Sequence, residues 1–239
     1  MIEKPINLRC EFLLNPINID VKNPRFSWNL KHEQRNQCQS AFRIIVSSSY
    51  SFILSETGDL WDSRKVISSN NSNIKYNGKE LTSNSVYYWR VKWWDKNDRE
   101  SEFSAIAKFE TALLNKDDWK SNWITMKGFS DKKFRRKYQY KTGQIGLSGN
   151  IKGYPALYFR KEFQINKKIE KAKVYVCGLG CHELRINGKK VGTNILDPAM
   201  TDYKKIALYS TYDITDYLKN NNAVGISKNP VHIAEAIIT

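Results

Sequence analysis

The sequence predicts an all-β chain made of two successive sandwich-like blocks joined by a basic connector. Three observations predict it. Aromatic residues are abundant, with 7 Trp, 13 Tyr and 10 Phe among 239 residues, and such side chains suit a pleated, half-buried surface. Apolar residues recur in short alternating runs broken by Asn, Gly, Ser and Pro, which is the period of strands. No amphipathic stretch longer than about ten residues follows the helical period, and no internal repeat is present. The length fits one or two domains, and 41% hydrophobic residues suffice for a real core.

The first block covers 1–115. Its runs are LRCEFLL, RFSWNL, SAFRIIVSSS, LWDS, SVYYWRVKWWD and IAKFETALL. Strands at this regular spacing suggest a sandwich of the immunoglobulin or fibronectin III type, with Trp28 filling the space between two sheets. Leu81 stands six residues before Tyr87, the arrangement of a tyrosine corner. On that register Tyr87, Trp89, Val91 and Trp93 share the inner face, while Arg90 and Lys92 point away. Trp94 points opposite to Trp93 and is expected to be a surface aromatic or to be covered by a domain interface. Asp95 to Asp98 supply a turn before the closing strand.

The connector covers 116–154. Trp119 and Trp123 lie four apart, so one helical turn places both on one side as a plug at the domain junction. The formal charge is +15, and its distribution matters more than its sum. Seven basic residues and one acidic residue fall within 127–141, KGFSDKKFRRKYQYK. A nucleic-acid groove spreads basic groups over a face with aromatics or a reading helix among them. A run confined to one connector reads instead as a solvated linker, and no nucleic-acid partner is expected. The stretch onward to Pro155 is Gly-rich and basic, the composition of a mobile link.

The second block covers 155–239. It opens with ALYFRKEFQI and continues with a strand over 172–179, a turn at Gly178 and Gly180, and a strand over 182–186. Asn187-Gly188 reads as a tight hairpin turn, because both residues tolerate positive φ. Val191-Gly192 then leads into the loop Asp197–Tyr203, followed by a strand at 207–209. Asp213 or Thr215 begins a short turn of helix. A jelly roll uses about eight strands, and this block is expected to supply five or six, leaving open sheet edges. The first sandwich is therefore expected to fold well and the second block to be marginal, with limited proteolysis leaving a fragment that ends near 115.

The cysteines are Cys10, Cys38, Cys177 and Cys181. Residues four apart on one strand sit about 13 Å apart, too far for Cys177 and Cys181 to share a metal or a disulfide. All four are expected to be reduced thiols, with no zinc set. The N-terminus shows no apolar signal region, and no apolar run approaches membrane-spanning length. No membrane partner is expected, and the location is cytoplasmic, or secreted if a leader has been removed.

A family resemblance gathers these pieces. NPINIDVKNPRFSWNL, SAFRIIVSSS, GDLWDSRKV, VYYWRVKWWD and FETALL together resemble the N-terminal sandwich of bacterial α-L-rhamnosidases. YFRKEF, AKVYVCGLGCHELRINGKKVG, LDPAMTDY and LYSTYDITDYL resemble the jelly-roll domain that follows it. The ordered set covers most of 6–225 outside the basic connector. It implies a fold class of all-β: an immunoglobulin/fibronectin III-like sandwich followed by a partial jelly-roll β-sandwich of glycosidase accessory type. Cys181 stands where the family usually has an aromatic residue, and the pattern stops near Asn222–Gly225. The family's (α/α)6 catalytic barrel lies beyond that point. The resemblance therefore implies a truncated, non-catalytic portion of an enzyme that removes terminal α-L-rhamnose. It implies rhamnose-containing glycans and the missing catalytic domain as partners. A frameshift or truncation predicts barrel-coding DNA just downstream.

The residues themselves offer little catalytic chemistry. Glycoside hydrolysis needs two carboxyl groups flanking one bond. Asp95, Asp98, Asp117, Asp118, Asp197, Asp202, Asp213 and Asp216 all sit in turns, where capping duty explains them. His32, His182 and His232 belong to no nucleophile elbow, and Gly178-Leu179-Gly180 lacks the third glycine of a dinucleotide fingerprint. A binding role fits better than catalysis, and a sugar site is sought at the loop carrying Asp197, Asp202 and Tyr203 near the Asn187 hairpin, although the favoured reading of these residues is that they only shape loops. No organic cofactor is expected, and calcium held by carboxylates and carbonyls is the one ion this loop suggests. A stand-alone carbohydrate-binding or adhesion module is the alternative.

Overall fold

The computed structural model describes residues 2–125, 156–228 and 234–238. The basic run 127–141, the Gly-rich stretch to Pro155 and His232 lie outside the described residues. The chain divides into two units, Met1–Trp119 and Lys120–Thr239.

The first unit contains β1 (Ile6–Cys10), β2 (Arg25–Asn29), β3 (Ala41–Ser47), the short helix α1 (Tyr50–Leu54), β4 (Trp61–Asp62), β5 (Val66–Ile67), β6 (Ile74–Lys75), β7 (Val86–Trp94) and β8 (Ala107–Glu110). One sheet runs β1-β2-β6 and the other β4-β3-β7-β8, with β5 also paired to β3. Leu8, Cys10, Phe26 and Trp28 from the first sheet meet Ile44, Val46, Tyr87, Trp89, Val91 and Phe109 from the second in one core. Alternation dictates this, since side chains two apart on a strand face the same way.

β7 behaves as its sequence predicts over Tyr87–Trp93, with every second residue buried. The Tyr87 hydroxyl accepts from the Thr82 amide at 2.8 Å, closing the tyrosine corner. Trp28 donates through Nε1 to Gln39 Oε1 at 3.2 Å, and Gln39 Nε2 donates to the carbonyls of Ser68 and Asn70. The buried indole thus gains a polar anchor in an otherwise apolar space. On the outer side, α1 lays Ile53 against Ile45 and Phe103. Ser49 caps α1 by accepting from the Phe52 amide at 3.3 Å.

Two sequence expectations need correction here. Trp94 does point opposite to Trp93, yet it is only 8% exposed. The Lys65 and Lys92 ammonium groups sit over its ring, 4.8 and 5.3 Å from the centroid. Flexible cationic side chains cover an aromatic face that alternation alone assigns to water. The expected helical turn linking Trp119 and Trp123 also fails. A 3-10 turn spans Lys116–Asp118 only, and Trp119 is already extended at ψ 98.

The second unit contains β9 (Leu157–Gln164), β10 (Lys173–Gly178), β11 (His182–Ile186), β12 (Lys189–Lys190), β13 (Tyr209–Asp213), β14 (Asn221–Lys228) and β15 (Ala234–Ile238). Three strands run β13-β10-β15 and four run β12-β11-β14-β9. Val174 and Val176 of β10 pack with Leu184 and Ile186 of β11 and Ile226 of β14, so the two sheets share one core. Asn187 and Gly188 adopt φ 52 and 81, the hairpin geometry their residue types predict. Asp213 accepts from the Thr215 amide at 3.0 Å and opens a 3-10 turn at Thr215–Tyr217.

Seven strands are present among the described residues of this unit, more than the five or six expected. β14 runs straight through Asn222–Gly225, where the sequence pattern fades, and β15 pairs antiparallel with β10 from Val174↔Ile238 to Gly178↔Ala234. The strand expected at 207–209 begins instead at Tyr209. Cys177 lies within β10 and Cys181 follows the turn after it, so the two do not share a strand. All four cysteines are free. Burial, with Glu11 adding to it, pushes the Cys10 thiol far above the ordinary range. A thiol reagent under native conditions is expected to label exposed Cys38 first and Cys10 only on unfolding. Equal labelling rates by mass spectrometry would contradict that burial.

Candidate functional site

The loop from Val191 to Leu208 is organised by Asp197. Its backbone carbonyl accepts from the His182 amide at 2.8 Å, tying the loop to β11. Its side-chain Oδ2 accepts from the Tyr212 hydroxyl at 2.5 Å and from the Ser210 hydroxyl. Gly192, at φ 73, makes room for this arrangement, because a Cβ there would lie 2.6 Å from the Tyr212 ring. Burial pushes the Asp197 carboxyl up, but hydrogen bonds from Ser210, Tyr212 and Asn194 outweigh it and hold the group below the ordinary carboxylate range. Burial and the adjoining carboxylate push the Tyr212 phenol up to about 12.

The other residues expected to bind sugar occupy different surroundings. Asn187 donates through Nδ2 to the Tyr217 carbonyl at 2.9 Å and to Asn222 Oδ1 at 3.0 Å, while its Oδ1 accepts from the Ala223 amide. It locks the β11 hairpin to β14 and shares none of these partners with Asp197. Asp202 shapes its own turn, accepting from the Lys204 amide at 3.2 Å and pairing with Lys205 at 3.5 Å. Tyr203 follows in that turn and is partly exposed. Among the described residues, no three His, Cys, Asp or Glu side chains gather into a group that could hold a metal ion.

The turn aspartates elsewhere are likewise engaged. Buried Asp95 accepts from the Asn97 and Arg99 amides at 2.8 and 3.1 Å and pairs with the Arg99 guanidinium. Asp98 pairs with Lys65, and Asp118 accepts from the Asn115 amide at 2.9 Å. Turn and cap duty therefore accounts for these carboxylates, as their positions predict.

One surface feature was not anticipated from the sequence. The outer face of the β12-β11-β14-β9 sheet carries a groove of about 470 Å³ lined by Tyr158, Arg160, Glu183, Arg185, Gly225 and Ser227, among others. Phe159, Leu184, Val224 and Ile226 on the same strands pack into the core; Phe159, Val224 and Ile226 also border the groove, between the outward residues of the alternate set. The run ALYFRKEFQI already carries the signal, since it puts Tyr158, Arg160 and Glu162 on one side. The facing strand NNAVGISK hides it, because Asn, Gly and Ser are weak strand formers.

Two sheets sharing one core in each unit define a protein of two consecutive β-sandwich modules. Residues 5–115 match the family described as Rha78A-like, N-terminal immunoglobulin domain, and residues 167–228 match the α-L-rhamnosidase N-terminal domain. The chain is homologous to the N-terminal part of the α-L-rhamnosidases. An α-L-rhamnosidase of Formosa agariphila is 42% identical over 214 residues, which are 89% of this chain and 22% of that protein. One from Alteromonas sp. is 34% identical over 228 residues, 93% of this chain and 23% of that protein. The solved α-L-rhamnosidase from Dictyoglumus thermophilum matches 98% of this chain and 27% of its own, with a TM-score of 0.86 and 42% identity. That from Aspergillus terreus shares the fold, with a TM-score of 0.74 at 21% identity. The chain thus spans about a fifth of the length of the curated relatives it matches.

Proposed function

We propose that the chain is the non-catalytic N-terminal part of an α-L-rhamnosidase-like glycoside hydrolase, and that its second unit contributes carbohydrate binding. The whole enzyme hydrolyses terminal α-L-rhamnose from glycans or glycosides. The observation that carries this reading is the ordered pair of N-terminal domain matches, 5–115 and 167–228. Glycoside hydrolysis needs two carboxyl groups flanking one bond about 5–10 Å apart. Asp95, Asp98, Asp118 and Asp197 are instead spent on ion pairs and turns. Within this reading Asn187 and Asp197 serve binding by fixing strands and loop, and Asp202 and Tyr203 lie where a ligand can reach them.

Incubating the chain with an aryl α-L-rhamnoside, and separately passing it over an immobilised rhamnosylated glycan, tests both halves. Retention without hydrolysis is expected, and retention lost on adding a calcium chelator assigns a calcium ion to the binding. Hydrolysis overturns the non-catalytic assignment, and failure to be retained overturns the binding role. The open groove on the second unit favours a second reading, a stand-alone carbohydrate-binding module.

A further inference from the structure

We infer that the outer face of the β12-β11-β14-β9 sheet is a binding groove for an uncharged glycan, with Tyr158 as stacking platform. The inference rests on the carbohydrate-binding reading of the second unit and deepens it by assigning the site and the ligand class.

The groove follows from the register of three strands. Ser227, Gly225 and Ala223 face Tyr158, Arg160 and Glu162 on β9. On the other side Ser227 and Gly225 face Glu183 and Arg185 on β11. Three small residues on a central strand thus lie between two rows of long ones, which makes a trough with a flat backbone floor. Tyr158 stands 80% exposed at one wall. An aromatic ring left in water beside a small-residue floor suits the apolar C–H face of a pyranose ring, with polar groups at the rim fixing orientation.

The ligand's charge class follows from the ion pairs. Arg160 pairs with Glu162 at 2.6 Å. Arg185 pairs with Glu183 at 2.8 Å, and Lys190 joins the same carboxylate at 3.4 Å. Each guanidinium already has a carboxylate partner, so a sulfate or uronate competes with that carboxylate for it, although Glu183 serves both Arg185 and Lys190. A polyhydroxylated neutral ligand uses both members of each pair, donating hydroxyls to Glu and accepting from Arg.

Gly225 allows a clean test. A Cβ built there meets the Phe159 carbonyl oxygen at 3.8 Å, an ordinary contact, and a β-branched residue is a better strand former than glycine. Gly225→Ile therefore fills the floor and leaves the fold intact. The experiment titrates methyl α-L-rhamnoside, a neutral rhamnose-containing oligosaccharide and a sulfated oligosaccharide into the full chain, Gly225→Ile and Tyr158→Ala, with a thermal melt of each. Saturable binding of a neutral glycan is expected in the parent chain. It is expected to vanish in Gly225→Ile with the melt unchanged or raised, and to weaken about tenfold in Tyr158→Ala, the factor corresponding to about 1.4 kcal/mol. Tighter binding of the sulfated glycan overturns the charge assignment. Wild-type binding in both variants places the site elsewhere and overturns the inference while sparing the carbohydrate-binding reading. No binding in the parent chain overturns both. A concentration-dependent dimer that Gly225→Ile disperses assigns the face to a second copy and also overturns the inference.

Discussion

Replacing Trp89 by alanine is expected to cost the first unit about 3–5 kcal/mol, the range for deleting a large buried aromatic. Trp89 is 0% exposed and lies 4.5 Å, centroid to centroid, from Phe26 across the two sheets. A domain of this size is worth about 5–15 kcal/mol in total, so the loss removes much of its margin. The melting midpoint of the unit is expected to fall by roughly 12–25 °C. Six of the seven tryptophans lie in this unit and only Trp123 falls in the second, so tryptophan fluorescence reports mainly this unit. Trp89→Phe is the informative partner. The Trp89 Nε1 is buried without a hydrogen-bond acceptor among the described residues, and leaving such a donor unmet costs about 1–3 kcal/mol. Phenylalanine gives up some packing and relieves that donor, so its net cost is expected to stay below about 1.5 kcal/mol. Equal losses in the two variants would show that the ring does not bridge the sheets.

The second large effect is expected at Asp197. Asp197→Ala strips the acceptor from the Ser210 and Tyr212 hydroxyls and is expected to cost about 2 kcal/mol, toward the low end for charged hydrogen bonds because the site is partly open to water. Hydrogen exchange at the amides of β10 and β13 reads the effect, since no tryptophan lies in those strands. The pH dependence has a definite sign. The folded-state pKa of Asp197 lies below its ordinary value, so its contribution is full above the unfolded value of about 3.9 and is lost as pH falls through the lower folded value. Asp197→Asn is expected to flatten the stability profile of this unit below about pH 4. A profile as steep as that of the parent chain would place the acid-labile group elsewhere.

How far the fold and site were legible depends on what each residue's neighbours do. The inner row Tyr87, Trp89, Val91 and Trp93 was legible because strand alternation is local and the residues are large. The Asn187-Gly188 turn was legible because its positive φ values demand those residue types. Trp94 misled because the residues that cover it, Lys65 and Lys92, reach it through tertiary structure and a flexible stem. β14 was half-hidden because Asn222 and Gly225 carry little strand preference, and pairing with β9 and β11 on both sides overrides that. Asp197 was named only as a turn residue and sugar-site candidate, because its bonds to Ser210 and Tyr212 depend on residues 13 and 15 positions away. The outer groove was the least legible feature, because it exists only when three strands from separate parts of the chain align.

The proposed role of these 239 residues is to bind glycan without cleaving it. Turnover of an aryl α-L-rhamnoside by the purified chain, run beside a full-length α-L-rhamnosidase at equal molarity, tests this most directly. Release indistinguishable from buffer is expected while the full-length enzyme turns over. Release that rises in proportion to the concentration of the chain, and disappears when it is heat-unfolded, would contradict it.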